Sequence, residues 1–397
     1  MAGGVEAVAA RVVGYGLKSA RDEGLDQDAE QVREVFRIAV RRLDDYTSSS
    51  LHATILGRFR ACLLGFVLGD AIAVAKEGRD IKDLKSLEGS LGMGGDTSHK
   101  VVASKAAVVS GMFELPLGSW SERTATMLCV AESICHLKTH DSNDIMMRLL
   151  RLYRVGVGSC QPGRCMQFDK FMVNSLESFE RQQGQKQARM NAANNSSAAL
   201  SRVLPIAMFL YSHPAVAIQT ASVDTSSTHE SLSCRDASRY LAALLVGIFS
   251  FPLDYKLEEI KETVFSKRFC PAGHSWSSKP LSSEVRDLAD GRFDVEKCPA
   301  NLKDAAPDVL CQAMWALKHS QDFVSGIDLL LKEKADRAVL STYGCLAGSL
   351  YGEGQLPETW ISLLHKGESI GSLAEKIHEI AENVQVEVQG RTAGSNE

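Results

Sequence analysis

From residue 57 onward, apolar side chains return every three or four positions in one segment after another, and sustained alternation with a period of two is almost absent. A chain patterned this way buries stripes along helices rather than faces of sheets, so an all-α, compact multi-helix domain without an internal repeat is expected. The helical segments are 57–75, 100–112, 121–138, 198–211, 235–250, 305–319, 337–351 and 372–385. In 305–319 the stripe is Val309, Leu310, Ala313, Met314 and Leu317, with Pro307 in a first turn that tolerates it. In 372–385 it is Leu373, Ala374, Ile377, Ile380, Ala381 and Val384, and Ser372 with Glu375 read as a capping box in front of it.

Residues 1–56 read as a helical extension, in which Val32, Val35, Phe36, Ala39, Val40 and Leu43 share one face before TSSSLHA breaks the pattern. Residues 57–386 form the main domain, and 387–397 a flexible tail. The 397-residue chain has a net charge of −5 and no strongly basic stretch, which argues against nucleic acid or an anionic membrane as partner. No segment approaches the roughly 20 apolar residues of a membrane span, and the N-terminus lacks signal-peptide architecture. The ten cysteines are scattered, with Cys62, Cys129 and Cys345 inside apolar runs. Such buried thiols belong to a reducing compartment, so a cytoplasmic location is expected.

Several stretches carry residues that need a reason. Gly65, Gly69 and Asp70 interrupt an apolar run that ends at Glu77. Each helical glycine costs about 1 kcal/mol against alanine, which close helix packing would offset, and a buried Asp requires hydrogen-bond partners. Gly344 and Gly348, four apart, repeat the theme, and packing alone explains them in isolation. Thr228 and His229 precede a helix, where a lone histidine is more often structural than functional. GGDTSH, 94–99, lacks the strand-to-helix setting of a phosphate loop and reads as a loop. Cys160, Cys165, Cys270, His274 and Cys298 have spacings too irregular for a structural zinc set.

In order along the chain, five blocks resemble the ADP-ribosylglycohydrolase family. LLGFVLGDAIAVAKE is similar to its opening G-D-A-L-G-A-P-V-E, with Gly69, Asp70, Ala71 and Glu77 in register. WSERTATMLCVAESI resembles W-T-D-D-T-x-M-x-L-A-x-A-E-S-L, and SSAALSRVLPIAMF resembles N-G-A-A-M-R-V-A-P, keeping Arg202 and Pro205. THESLSCRDASRYLAALL resembles the family's T-H block. ADRAVLSTYGCLAGSLYGEGQLPETW resembles D-A-D-T-x-A-A-I-x-G-x-L-A-G-A-x-Y-G-x-x-x-I-P-x-x-W. The resemblance spans about 57–385. It implies an all-α domain with a central cleft, where two magnesium ions held by T-D-D and D-x-D-T bind an ADP-ribose-linked substrate and help water cleave the bond at ribose C1″. It also implies that Glu77 contacts the site and that Thr228 and His229 lie near the phosphates.

The departures fall on the metal. T-D-D is replaced by Ser121, Glu122 and Arg123, and D-x-D-T by Ala335, Asp336, Arg337 and Ala338. Ser197 and Ala198 stand at N-G. Ser121, Glu122 and Asp336 still offer oxygen to magnesium, whereas Arg123, Ala335, Arg337 and Ala338 offer none. Two carboxylates and two guanidinium groups nonetheless balance in charge, as four aspartates and two magnesium ions do. Arg123 and Arg337 are therefore expected to stand in for the metals, paired across the cleft with Glu122 and Asp336. Two functions follow. One is a catalytically impaired protein, with no cofactor, that binds an ADP-ribose-like ligand or an ADP-ribosylated protein through Arg123, Arg202, Thr228, His229 and Arg337. The other is an active hydrolase with a reduced magnesium site at Ser121, Glu122 and Asp336, and Glu77 or Asp70 as general base.

Overall fold

The computed structural model describes residues 55–77, 81–90, 108–110, 113–115, 118–161, 163, 168–182, 195–251, 256–299 and 304–393. All belong to the second of the two units into which the chain divides, Met1–Thr54 and Ile55–Glu397. The expected helix over 32–43 and the GGDTSH loop lie outside the described residues.

The element order is α1 (55–76), α2 (Leu84–Ser90), β1 (Val108–Ser110), β2 (Phe113–Leu115), α3 (Glu122–Leu137), α4 (Ser142–Val155), α5 (Lys170–Arg181) and a 3-10 turn over Ser197–Arg202 that runs into α6 (Val203–Phe209). Then come α7 (Pro214–Ser226), α8 (Leu232–Phe249), α9 (Leu257–Val264), α10 (Ser283–Asp287), α11 (Ala306–His319), α12 (Phe323–Lys332), α13 (Arg337–Tyr351), α14 (Glu358–Ile361) and α15 (Gly367–Ala393). The fold is all-α, as the periodicity predicts. Its centre is α8, buried almost all round from Ser233 to Phe249. A helix apolar on every side must sit inside a layer of others, and α6, α7, α11 and α13 pack against it. No helix among the described residues is long and apolar enough to cross a membrane.

Three local expectations differ. Of the helix expected over 100–112, only 108–110 lie within the described residues, and they form a strand, β1, which pairs antiparallel with β2 in the register Ser110↔Phe113. Val108 and Val109 are β-branched, which suits a strand. The last helix starts at Gly367 rather than after Ser372, so Ser372 is not a cap. Glu375 instead reaches across to the Arg60 guanidinium. The backbone of α15 also stays helical to Ala393, beyond the boundary set at 386.

The glycines explain how α1 and α13 lie together. A Cβ on Gly65 would stand 2.2 Å from the carbonyl oxygen of Gly344, and one on Gly344 would stand 2.0 Å from that of Gly65. Gly69 meets Leu340 O and Gly348 meets Ala61 O in the same way, at 2.1 and 2.0 Å. The two backbones touch along two turns, where any side chain would drive them apart. This contact fixes the C-terminal end of α1, carrying Glu77, beside the N-terminal end of α13, carrying Arg337.

A candidate ligand cleft built from helix N-termini

Three helices begin at one cleft. Ser121 caps α3, its Oγ accepting from Arg123 N–H at 3.1 Å. Asp169 caps α5, its Oδ1 accepting from Phe171 N–H and Met172 N–H at 2.7 and 3.2 Å. Asp336 caps α13, accepting from Val339 N–H at 2.9 Å. The short polar side chains that mark these stretches are helix caps first. Each helix turns the positive end of its dipole toward the same space.

Asp70 locks the α3 terminus. It is fully buried on α1 and accepts four donors: Ser121 N–H at 2.9 Å, Ser121 Oγ–H at 2.6 Å, Thr124 N–H at 3.2 Å and Thr124 Oγ1–H at 2.6 Å. Both carboxylate oxygens are thereby occupied. The Ser121 hydroxyl donates to Asp70 and accepts from Arg123 N–H.

The first turns of α3 and α13 carry the unusual charges. Glu122 and Arg337 each occupy the first position of their helix. Arg337 Nη1 donates to the Glu122 carboxylate at 3.0 and 3.4 Å, and its Nη2 pairs with Glu77. Arg123, one residue on, donates from Nη2 to Ser197 Oγ at 2.8 Å and to both Asp304 oxygens at 3.3 Å. Ser197 in turn donates to Asp304. A cation in the first helical turn opposes the dipole by about 0.3–1 kcal/mol, so both arginines stand where only carboxylates beside them make the placement tolerable.

The expected pairing is thus half corrected. Arg337 meets Glu122 across the cleft, but Arg123 meets Asp304, not Asp336. Asp336 is turned to its own helix as a cap, and Lys76 Nζ beside it donates to Ala335 O at 2.8 Å. Asp304 is a residue that sequence reasoning missed. It adopts a left-handed φ of 54° between an irregular stretch and α11. Backbone bonds Ser197 N–H to Asp304 O and Ala306 N–H to Asn195 O, at 2.9 and 2.7 Å, hold it against the 3-10 turn.

Burial pushes the Glu122 pKa up to about 7; the nearby Asp70 charge adds to the rise and the Arg123 guanidinium opposes it. Burial likewise raises Asp304, against the pull of Arg123. The Lys76 ammonium is lowered, chiefly by loss of solvent.

Two adjoining cavities open around these groups. The larger, about 470 Å³, is lined by Lys76, Glu77, Lys334 and Asp336 together with Glu122, Arg123, Asp304 and Arg337. The smaller, about 210 Å³, shares those last four and adds Phe168, Asp169 and Met172. Among the described residues no cluster of three or more His, Cys, Asp or Glu side chains is arranged to hold a metal, the Cys270 and His274 region included.

Arg202, Thr228 and His229 lie elsewhere. All three are fully buried and line neither cavity. Arg202 Nε donates to Asp224 at 2.7 Å and its Nη2 to Thr228 Oγ1 at 2.8 Å. Thr228 Oγ1 also bonds His229 Nδ1 at 2.8 Å. They lie behind the cleft wall, with His229 Nε2 3.7 Å from the Asp169 carboxylate that lines it.

Sequence comparison matches a family model described as ADP-ribosylglycohydrolase over residues 51–387. Similar proteins include ADP-ribosylarginine hydrolase Tri1 of Serratia proteamaculans, 26% identical over 82% of this chain and 80% of the relative. Tri1 of Pseudomonas putida is 25% identical over 83% and 80%. ADP-ribosylhydrolase ARH3 of Gallus gallus is 22% identical over 81% and 93%. A solved structure described as an ADP-ribosylglycohydrolase-related protein complex shares the fold, with a TM-score of 0.62 and 23% identity over 83% of this chain and 99% of that one. With its five blocks in order and the family model spanning most of its length, the chain belongs to the ADP-ribosylglycohydrolase family.

Proposed function

We propose that the cleft binds an ADP-ribose-like ligand, free or attached to a protein, without magnesium and without the hydrolysis that magnesium supports. The observation that carries this reading is Arg337, clasped by Glu77 and Glu122 where the resemblance sets a metal. Magnesium requires hard oxygen donors in near-octahedral array. Glu122 and Glu77 are taken up by Arg337 and Asp304 by Arg123, and the Ser121 hydroxyl, held by Asp70 and the Arg123 N–H, keeps a single neutral lone pair. The residues present do not fit a two-magnesium centre, and a cation would stand beside two guanidinium groups.

The same arrangement favours a pyrophosphate. Lys76, Arg123, Lys334 and Arg337 face the larger cavity beside Glu77, Glu122, Asp304 and Asp336. These charges balance when every carboxylate is ionised. Protonation of Glu122 near pH 7 leaves one positive charge over and loosens one partner of Arg337. Converging helix N-termini add to the attraction for an anion. The Tri1 relatives are ADP-ribosylarginine hydrolases by name, which suggests an ADP-ribosylated protein as the natural source of the ligand. The free cysteines among the described residues suit a reducing, cytoplasmic setting.

The alternative is an active ADP-ribosyl hydrolase with a reduced site, and one observation favours it. A carboxyl with a pKa near 7 is suited to proton transfer, and Glu122 is such a group. Release of ADP-ribose from an ADP-ribosylarginine peptide, followed with magnesium and with chelator, decides between the two. The binding reading predicts no release in either; chelator-sensitive turnover would refute it.

A further inference from the structure

Of the carboxylates lining the smaller cavity, Glu122 and Asp304 are held by arginines, and Asp169 is served differently. Its Oδ1 caps α5, and the buried His229 Nε2 faces that same oxygen at 3.7 Å. Arg202 is always a donor, so its bond to Thr228 Oγ1 fills an acceptor position there. The threonine hydroxyl also bonds His229 Nδ1, and the ring's Nε2 is turned toward Asp169. That nitrogen has no hydrogen-bond partner in reach although His229 is fully buried. Burial and the Arg202 charge lower the His229 pKa, against the pull of Asp169. Although burial alone would raise it, the contacts from His229 and Ser196 and the Phe171 N–H hold Asp169 down at about 2. It is ionised at every working pH.

Beside this acceptor the cavity wall carries two apolar side chains. Phe168 and Met172 line it, and the Phe168 ring is fixed edge-on by Tyr153, with centroids 5.8 Å apart. A carboxylate next to an aromatic face, in a space of about 210 Å³, suits a sugar ring, whose hydroxyls donate while its C–H face lies on the ring. A cationic group would meet Arg123 and Arg337, which line the same walls.

We infer that the smaller cavity is a ribose subsite, in which Asp169 accepts hydrogen bonds from the ligand's vicinal hydroxyls and Phe168 carries the sugar's apolar face. The inference rests on the reading that the cleft takes an ADP-ribose-like ligand. It makes Asp169 the residue that separates a nucleotide sugar from a bare pyrophosphate.

The test is calorimetric titration of the full chain, without metal, with ADP-ribose, inorganic pyrophosphate and agmatine. Asp169→Asn keeps a side chain able to cap α5 and removes the charge. It is expected to weaken ADP-ribose by about tenfold or more, the worth of a hydrogen bond to a charged group, and to leave pyrophosphate unchanged. The unchanged pyrophosphate affinity also reports a folded protein. Phe168→Ala, which leaves the cap untouched, is expected to show the same selective loss. Equal loss of both ligands, or an ADP-ribose affinity indifferent to both substitutions, would overturn the inference while the binding reading stands. Agmatine binding that Asp169→Asn abolishes would assign the cavity to a cation and overturn it as well. Failure of the unsubstituted chain to bind either ADP-ribose or pyrophosphate would remove the underlying reading, and the subsite with it.

Discussion

Arg337 and Glu122 face each other across the cleft at 3.0 Å, each the first residue of its helix. One is a cation at the positive end of α13. The other is a carboxyl whose pKa burial has moved to about 7. Neither is comfortable alone, and the Glu77 carboxylate on α1 completes the arrangement.

Arg337→Ala leaves two glutamates facing each other without a cation. Removing one partner of a buried pair costs about 3–5 kcal/mol, but these side chains retain 17–36% exposure, so about 1–2 kcal/mol is expected here after solvent screening. Urea denaturation measures it. In the same protein, pyrophosphate affinity should fall at least tenfold. A variant of unchanged stability and affinity would show that the pair contributes nothing.

The pH dependence has a definite sign. The folded-state pKa of Glu122, about 7, exceeds its ordinary value of 4.5. Folding therefore takes up a proton between those limits. The contribution of this group to stability is complete below about pH 4.5 and is lost as pH rises through about 7. Anion affinity follows the same direction, strengthening from pH 8 to pH 6 as Glu122 becomes neutral. Glu122→Gln should flatten both profiles over that interval.

Asp70 serves structure. Asp70→Ala orphans two N–H and two O–H donors at the start of α3, and about 3 kcal/mol of destabilisation is expected. At a temperature where the variant remains folded, ligand affinity should fall less than with Arg337→Ala. A large loss of affinity without loss of stability would place Asp70 in the cleft chemistry.

Gly344→Ala tests the crossing of α1 and α13. Its Cβ would enter the Gly65 carbonyl, and backbone cannot yield as a side chain tip does. A loss of about 2–3 kcal/mol or more is expected, read from the urea midpoint. Gly354→Ala, where nothing lies within 4 Å, should be close to neutral and serves as the control.

The helices were legible because burial of an apolar stripe leaves a period in the sequence. The run 305–319 with Pro307 at its start corresponds to α11 within a residue. Val108 and Val109 were not, because a short apolar run reads equally as helix or strand until a partner such as β2 is present. In the cleft, Arg123, Glu122 and Arg337 could be singled out by the order of the blocks around them. Asp304 could not. It follows an irregular stretch without periodicity and reaches Arg123 only through the backbone bonds that tie 304–306 to 195–197. Charge counted without geometry gives Asp336 a cross-cleft partner, whereas an Asp before a helix is drawn first to its own backbone N–H groups. Asp169 was hidden in the same way, as a cap.

The central claim is that Arg123 and Arg337 take the part of the metals. The most direct measurement is titration of ADP-ribose into the purified chain in excess chelator and again in millimolar magnesium. The same affinity is expected in both, with loss of binding in each when Arg123 and Arg337 are replaced by alanine. Binding that appears only with magnesium, or that survives the loss of both arginines, would contradict it.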